Sequence, residues 1–123
     1  MIGYTTIGTN ALDRAKTFYD TVLKPLGGRR TLTYARSQYY GGPDRGAMLG
    51  VVLPFDGQAA ACGNGAMVAL AAASAAVVDQ VHAAALAAGG TCEGPPGQRM
   101  DSFYGAYFRD LDGNKLCAFY MGR

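Results

Sequence analysis

The sequence predicts an α+β fold made of two consecutive modules, each with the order strand, helix, strand, strand, strand (βαβββ). The first observation is an amphipathic helical stripe that occurs twice and is followed each time by Gly-Gly, at 27–28 and at 89–90. The second is a Gly-containing polar segment between two apolar segments, which closes both halves of the chain. A chain of 123 residues is long enough for one such domain and too short for two independent ones.

The first module opens with a strand over residues 2–8, IGYTTIG, which is rich in β-branched residues. Thr9-Asn10 is a candidate helix cap, and Asp13 places negative charge in the first helical turn. Pro25 and the Gly-Gly pair end this helix. Its apolar residues recur at steps of three and four and are Leu12, Ala15, Phe18, Tyr19, Val22 and Leu23.

The second module repeats this order from Met67. Residues 67–73, MVALAAA, predict a strand, and Ser74 is the candidate cap of the helix that follows. When Met67 is aligned with Tyr4, the apolar stripes of the two helices also align. Because strand, stripe and Gly-Gly recur together, we interpret the chain as an internal duplication.

Each module continues with a strand and a hairpin. In module one the strands are expected in segments 29–35, 37–42 and 47–54; module two has a weak strand near Thr91 and a hairpin of segments 103–109 and 115–121. Aligning Gly46 with Gly113 also aligns Gly50 with Cys117. We therefore divide the single domain, residues 1–123, into module one at about 1–53, a linker at 54–65 and module two at about 66–123.

Composition argues against two classes of partner. The net charge is +2, and of the 11 basic residues only Arg29 and Arg30 adjoin, so no basic stripe predicts nucleic-acid binding. The Ala-rich run from Ala66 to Val78 is interrupted by Ser74 and is shorter than the roughly 18 apolar residues of a membrane-spanning helix. The three cysteines have no CxxC spacing and no charged-then-apolar leader opens the chain, so we expect a cytoplasmic protein with reduced thiols.

Residues 110–114, DLDGN, begin like a calcium loop but fit a hairpin turn better. An EF-hand loop needs Gly at its sixth position and Glu at its twelfth. Here Gly113 is the fourth residue, and the twelfth is Met121. We predict a hairpin turn.

Two βαβββ modules in so short a chain resemble the vicinal oxygen chelate superfamily, which includes glyoxalase I, bleomycin resistance proteins and extradiol dioxygenases. The resemblance is carried by residues 2–23, by GNGAMVALAAAS at 63–74, and most specifically by FYGAYFRDLDGNKLCAFY at 103–120. Members commonly show an Asp-Pro-Asp-Gly-Asn turn in the last stretch, where this chain has Leu111 in place of the proline. The resemblance implies curled mixed sheets around a central cavity with the helices outside, and a divalent metal ion inside the cavity.

The resemblance also implies four metal-ligand positions, at which relatives carry two histidines and two carboxylates. In this chain those positions are Tyr4, Gly50, Met67 and Cys117. Divalent ions prefer imidazole and carboxylate ligands, and of these four residues only Cys117 becomes a good ligand, after deprotonation. We therefore expect no metal and no other cofactor, and we expect glyoxalase I and extradiol dioxygenase activities to be absent.

A cavity without metal remains a candidate binding site for a small organic molecule. Its expected lining residues are Tyr4, Thr6, Met48, Gly50, Met67, Tyr107 and Cys117. Alternation along a strand puts Thr6 beside Tyr4, and a hairpin that pairs Arg109 with Lys115 puts Tyr107 opposite Cys117.

Other residues have weaker claims to the site. One of Tyr39 and Tyr40 should also face the cavity, and Arg36 and Arg99 are candidates for contact with an anionic ligand. The only histidine, His82, lies on a helical stripe and should point away from the cavity. The competing interpretation is that the tyrosines fill a collapsed interior and that Cys117 is a small buried hydrophobe.

We predict a glyoxalase/bleomycin-resistance-like protein whose metal-free cavity binds a small organic molecule. The alternative is a metal-independent lyase or isomerase-type enzyme that uses a tyrosine or a cysteine in the same cavity, and no catalytic residue is assigned. A third interpretation is a vestigial cavity in a protein that acts through its surface. We expect a homodimer, formed through exchanged or edge-paired halves.

Overall fold

The structure is a computed structural model that describes residues 1–122, and both modules have the predicted order of strands and helices. A 3₁₀ turn at Lys24–Leu26 follows the first helix, and Gly27 ends it with φ of 75°, a left-handed conformation that glycine adopts without strain. The elements of module one are β1 (Tyr4–Gly8), α1 (Leu12–Val22), β2 (Arg29–Tyr34), β3 (Ser37–Gly41) and β4 (Met48–Val52).

Module two contains one strand that is longer than the sequence predicts. Instead of a weak strand near Thr91, a ten-residue strand continues to Met100, because it pairs with the next strand through three register shifts. Pro95 and Pro96 are tolerated there because the strand lies at the sheet edge. The elements are β5 (Val68–Ala71), α2 (Ala75–Ala87), β6 (Thr91–Met100), β7 (Phe103–Arg109) and β8 (Lys115–Met121).

Each module forms one four-stranded mixed sheet. The strand orders are β1-β4-β3-β2 and β5-β8-β7-β6, so the two sheets have the same topology, as expected for a duplicated module. In each sheet the first and last strands of the module pair in parallel, and the remaining pairs are antiparallel. The expected pairing of Arg109 with Lys115, and of Tyr107 with Cys117, is present.

The helices cover one face of each sheet and pack against each other. Helix α1 contacts β3 and β4, and α2 contacts β6, β7 and β8. The predicted apolar stripes supply the buried contacts, including Phe18 and Val22 of α1 and Val78 and Val81 of α2. We call the opposite face of each sheet its open face. Within residues 1–122, neither helix combines the length and the apolar character needed to cross a membrane.

The two helices begin in different ways. Ser74 caps α2 as predicted, because its hydroxyl accepts a hydrogen bond from the backbone N–H of Val77 at 3.3 Å. Thr9-Asn10 does not cap α1, whose N-cap residue is Ala11 without a side-chain hydrogen bond. The Thr9 hydroxyl instead donates to Asp112 of module two at 2.6 Å. The same hydroxyl accepts the backbone N–H of Ala11 at 3.1 Å, and Ala11 lies before the helix and not inside its first turn.

Asp112 fastens the hairpin turn of module two to the start of α1. Besides the Thr9 hydroxyl, its carboxylate accepts the backbone N–H of Asn10 at 3.0 Å and a guanidinium N–H of Arg14 at 3.1 Å. The Asp112 side chain is almost completely shielded from solvent. Protein donors therefore surround this carboxylate.

Asp110 and Asn114 complete the junction. Asp110 accepts the phenolic hydrogen of Tyr19 at 2.5 Å, and the Asn114 side chain donates to the backbone carbonyl of Gly8 at 2.8 Å. Gly113 has φ of 87° and forms the tight part of the turn. Segment 110–114 is the predicted hairpin turn, and its carboxylates join the two modules.

Candidate ligand-binding site

Four of the expected site residues lie together on the open face of the first sheet. The parallel register pairs Tyr4 with Met48 and Thr6 with Gly50, and alternation places all four on one face. Tyr4 is 59% exposed, so its ring is accessible to a ligand or to another protein surface.

Tyr39, not Tyr40, reaches this face and covers Gly50. Tyr40 lies on the helix side, where its hydroxyl donates to Asp20 at 2.9 Å. A Cβ atom added to Gly50 would lie only 2.5 Å from Cε2 and 2.9 Å from Cδ2 of the Tyr39 ring. The ring of Tyr39 therefore occupies the space that a side chain at position 50 would need.

Three tyrosines form an aromatic cluster around Gly50. The rings of Tyr4 and Tyr39 meet edge to face with centroids 5.5 Å apart, and those of Tyr34 and Tyr39 do so at 6.1 Å. Such geometry is favourable for aromatic pairs. Tyr34 was missed by the sequence analysis, because a register shift in β2 decides where it meets β3.

The open face of the second sheet carries the other expected residues. Tyr107 lies opposite Cys117 in the β7–β8 pair, and Met67, just before β5, is 45% exposed. Cys117 is only 1% exposed. Burial raises the pKa of the Cys117 thiol, against the lowering effects of a hydrogen bond with Tyr107 and of the charges of Arg99 and Lys115. The thiol is therefore neutral near pH 7.

Two cations flank the Tyr107 ring. The guanidinium carbon of Arg99 lies 5.4 Å from the ring centroid, and Nζ of Lys115 lies 5.5 Å from it. Both distances are within the range of cation–π attraction. From the sequence, Arg99 and Arg36 were both candidates for contact with an anionic ligand. Arg36 instead donates to the backbone carbonyl of Pro54 at 2.7 Å.

A pocket of about 540 Å³ lies at the end of the second sheet nearest the linker. Its walls are residues 62–67 together with Arg109 and Lys115. Among the expected site residues, Met67 lines this pocket. Lys115 lines the pocket too, and its Nζ also lies near the Tyr107 ring. The sequence did not predict this pocket, because a glycine-rich segment can form either a turn or the wall of a pocket, and its composition does not distinguish the two.

The residues at the four implied metal positions do not fit a divalent ion. The Tyr39 ring fills the space at Gly50, Met67 offers a soft thioether, and Cys117 is held as a neutral thiol. Elsewhere in residues 1–122, no three side chains of His, Cys, Asp or Glu are grouped so that they could hold a metal ion.

His82 lies on the helix side of the second sheet, away from the open face. Its Nε2 is 3.3 Å from Sγ of Cys92, so this contact joins α2, which contains His82, to β6, which contains Cys92. Burial lowers the pKa of His82, and the nearby charge of Asp79 opposes this effect. Cys92, which the sequence left without a role, is the partner of this imidazole.

The two open faces do not pack on each other within the described chain. In residues 1–122 the extensive contacts between strands all join strands of the same sheet. The two modules meet instead through α1, α2, the 3₁₀ turn and the 110–114 turn. The structure thus brings Tyr4, Thr6, Met48 and Gly50 together on one face, and Tyr107 and Cys117 together on the other.

Comparison with known proteins gives one family. The model of the Glyoxalase/Bleomycin resistance protein/Dioxygenase superfamily matches residues 1–118. The chain is 41% identical to a glyoxalase/bleomycin resistance protein from Albidiferax ferrireducens T118, whose crystal structure superposes with a TM-score of 0.92 over 99% of both chains. No curated protein sequence matches the chain.

More distant structures share the fold. A glyoxalase/bleomycin resistance protein/dioxygenase family enzyme from Burkholderia phytofirmans PsJN is 16% identical, with a TM-score of 0.75 over 98% of both chains. A lactoylglutathione lyase from Agrobacterium tumefaciens is 21% identical, with a TM-score of 0.71 over 98% of this chain and 92% of that one. At these identities the likeness concerns the fold alone.

Proposed function

The chain belongs to the Glyoxalase/Bleomycin resistance protein/Dioxygenase superfamily, and from this premise we propose that it binds a small organic molecule on its open faces without a divalent metal ion. The observation that carries the proposal is the Tyr39 ring over Gly50, at a position where relatives with a metal carry a ligand. A carboxylate there would require the ring to leave.

The surroundings support an organic ligand. Tyr4, Tyr34 and Tyr39 offer aromatic edges and hydroxyls on one open face, and the stacked pair of Phe103 and Phe119 lies on the other. The pocket beside Met67 has a volume within the range of roughly 300–1,000 Å³ that small-molecule sites occupy. The residues that line this pocket are not aromatic, whereas the aromatic surface of the two open faces suits a flat or amphipathic molecule.

Metal content tests the first half of the proposal. Protein purified without chelators and without a nickel column should contain far less than one equivalent of zinc, nickel, manganese or iron by elemental analysis. A stoichiometric amount of metal that remains bound after dialysis would refute the proposal that the site works without a metal ion.

A thermal-shift screen of small organic molecules tests the second half. Compounds that raise the melting temperature should do so less in Tyr4→Phe if they bind the open face of the first sheet, or less in Cys117→Ser if they bind that of the second. Cys92→Ser is the matched control, since Cys92 contacts His82 on the helix side. Equal ligand effects in all three variants would mean that the site lies elsewhere.

A metal-independent lyase or isomerase-type enzyme is the second candidate. The observation in its favour is that Tyr107 lies directly opposite Cys117 in the β7–β8 pair, which brings together two groups able to move a proton. Because burial raises the pKa of the Cys117 thiol, proton donation suits it better than nucleophilic attack. The test is to ask whether the protein converts a ligand found in the screen into a product. If it does, and if the Tyr107→Phe variant still binds that ligand without converting it, this candidate is established.

We also propose a homodimer that works in the cytoplasm. Large apolar side chains are exposed along the open faces and edges, among them Leu32, Tyr34, Met100 and Met121. Strands β1, β2, β5 and β6 each lie at a sheet edge, and open edges favour pairing with another chain. The free thiols of all three cysteines support a reducing compartment.

A further inference from the structure

We propose that the ligand of this protein is an organic anion, an aromatic carboxylate by class, whose charged group meets Arg99 and Lys115 while its ring lies against Tyr107 and Phe119. The inference rests on the proposed function, because it names the class of molecule that the open face of the second sheet would take. It starts from the two cations on that face.

Arg99 is held over the open face by its own strand. Its guanidinium donates to the backbone carbonyl of Pro95 at 2.6 Å. Cβ atoms added to Gly94 and Gly97 would lie 3.2 Å and 2.9 Å from its terminal nitrogens. Two glycines therefore provide the space that the guanidinium occupies beside β6, and its other N–H groups can donate to a ligand.

The positive charge of Arg99 and Lys115 is not balanced by a carboxylate within residues 1–122. The ion pairs there join Arg14 to Asp112, Arg30 to Asp20, and Arg109 to Glu93. Neither Arg99 nor Lys115 takes part in one. Two cations within 5.5 Å of one ring centroid make this face attractive to an anion and unfavourable for a cation.

Cys117 does not supply the missing negative charge. Its thiol lies on the same face, opposite Tyr107, and is almost fully buried. Since burial raises the pKa of this thiol, it stays protonated near pH 7 in spite of the two cations. Cys117 therefore adds no negative charge beside the two cations.

Apolar surface adjoins the two cations. Phe119 lies two residues beyond Cys117 on the same strand face, and its ring stacks on Phe103 with centroids 5.4 Å apart and planes within 5°. Lys115 also borders the pocket of about 540 Å³, which is lined as well by Arg109, whose charge is paired with Glu93. A molecule with a carboxylate attached to an aromatic ring matches this surface, on which positive groups lie beside aromatic ones.

Isothermal titration with charge-matched pairs tests the inference. The probes are benzoate, phenylacetate and cinnamate, each compared with its neutral carboxamide, at low salt and at high salt. At least one carboxylate should bind about tenfold more tightly than its amide, in line with hydrogen bonds to charged groups. The preference should shrink at high salt, because salt screens exposed charges.

Variants identify the cations responsible. Arg99→Gln combined with Lys115→Gln should remove most of the preference for the carboxylate, because it should weaken binding of the carboxylate much more than binding of the amide. Lys24→Gln, which removes an exposed charge from the 3₁₀ turn far from this face, is the control and should keep the preference. Circular dichroism and the melting temperature establish that the variants fold.

The outcomes separate the two proposals. Binding of the amides as tight as that of the carboxylates, or a preference that survives in the double variant, overturns the anion inference and leaves the organic-ligand proposal standing. Absence of binding by every probe, together with a thermal-shift screen that finds no ligand, overturns both.

Discussion

At position 50, the lack of a side chain lets the ring of Tyr39 lie against the backbone of β4. Gly50→Ala should therefore destabilise the protein by about 1–3 kcal/mol, the usual cost of overpacking. Urea unfolding measures this loss, and the double variant with Tyr39→Ala should lose less than the sum of the single variants.

Gly46→Ala is the matched control for this change. A Cβ atom there would approach Asp44 no closer than 3.6 Å, and Gly46 does not have a positive φ. Its free energy of unfolding should stay within about 0.5 kcal/mol of the original protein. If Gly50→Ala were equally harmless, Tyr39 would not block this position.

The hydroxyl of Tyr19 gives the protein a sensitivity to alkaline pH. Burial raises the pKa of Tyr19 well above its usual value of 10.0, and the charge of Asp110 and the hydrogen bond to it add to the effect. The unfolded chain therefore releases this proton at a lower pH than the folded chain. The resulting stability is complete below pH 10 and is lost as the pH rises above it.

Tyr19→Phe should reduce this alkaline loss. Urea unfolding at several pH values between neutral and strongly alkaline should show a flatter decline than in the original protein, after a loss of about 1 kcal/mol at neutral pH for the missing hydrogen bond. Tyr34→Phe, at an exposed position, is the control. An unchanged slope in Tyr19→Phe would show that other groups cause the decline.

At the scale of elements, the 110–114 turn connects the two modules. Asp112→Ala leaves the Thr9 hydroxyl, the Asn10 N–H and Arg14 without their common acceptor, so the free energy of unfolding should fall by about 2–3 kcal/mol. Urea or thermal unfolding measures the change. Asp56→Ala is the control, because the Asp56 carboxylate bonds only the nearby N–H of Gln58 in an exposed turn. Similar losses in both variants would contradict a special role for the 110–114 turn.

The elements that depend on local pattern could be predicted from the sequence. Both helices, the Ser74 cap and the β7–β8 register follow from periodicity and turn residues. The length of β6 could not be predicted, because Pro95 and Pro96 oppose a strand and only the pairing with β7 maintains it. The predicted cap at Thr9-Asn10 was wrong because the N-cap residue is Ala11, and the Thr9 hydroxyl bonds Ala11 and the distant Asp112.

The candidate site also has features that the sequence predicts and features that it does not. Alternation along the strands places Tyr4, Thr6 and Tyr107 on the open faces, and their role in a ligand-binding cavity stays a prediction. The position of Arg99 depends on the space above two glycines, and the covering of Gly50 depends on which of two adjacent tyrosines faces outward. Such three-dimensional details leave no periodic signal in a single sequence.

At the scale of the whole molecule, the proposed homodimer can be measured directly. Light scattering over a concentration series should give twice the 12.8 kDa mass of one chain, because the exposed apolar residues would be covered by a second copy. A mass of one chain that stays constant with concentration would contradict the dimer. Ligand binding that requires the dimer would further indicate that both copies contribute to one site.

The duplication leaves the molecule with two equivalent junctions that are used differently. The 110–114 turn closes one of them with hydrogen bonds to module one, whereas residues 41–44 of module one face β5 across an open space of about 520 Å³. Alanines 69, 71 and 73 line that space, so larger side chains there have room to grow. Directed evolution for thermostability should find its gains at Ala73, because positions 69 and 71 pair with Cys117 and Phe119 and so lie on the open face proposed for the ligand.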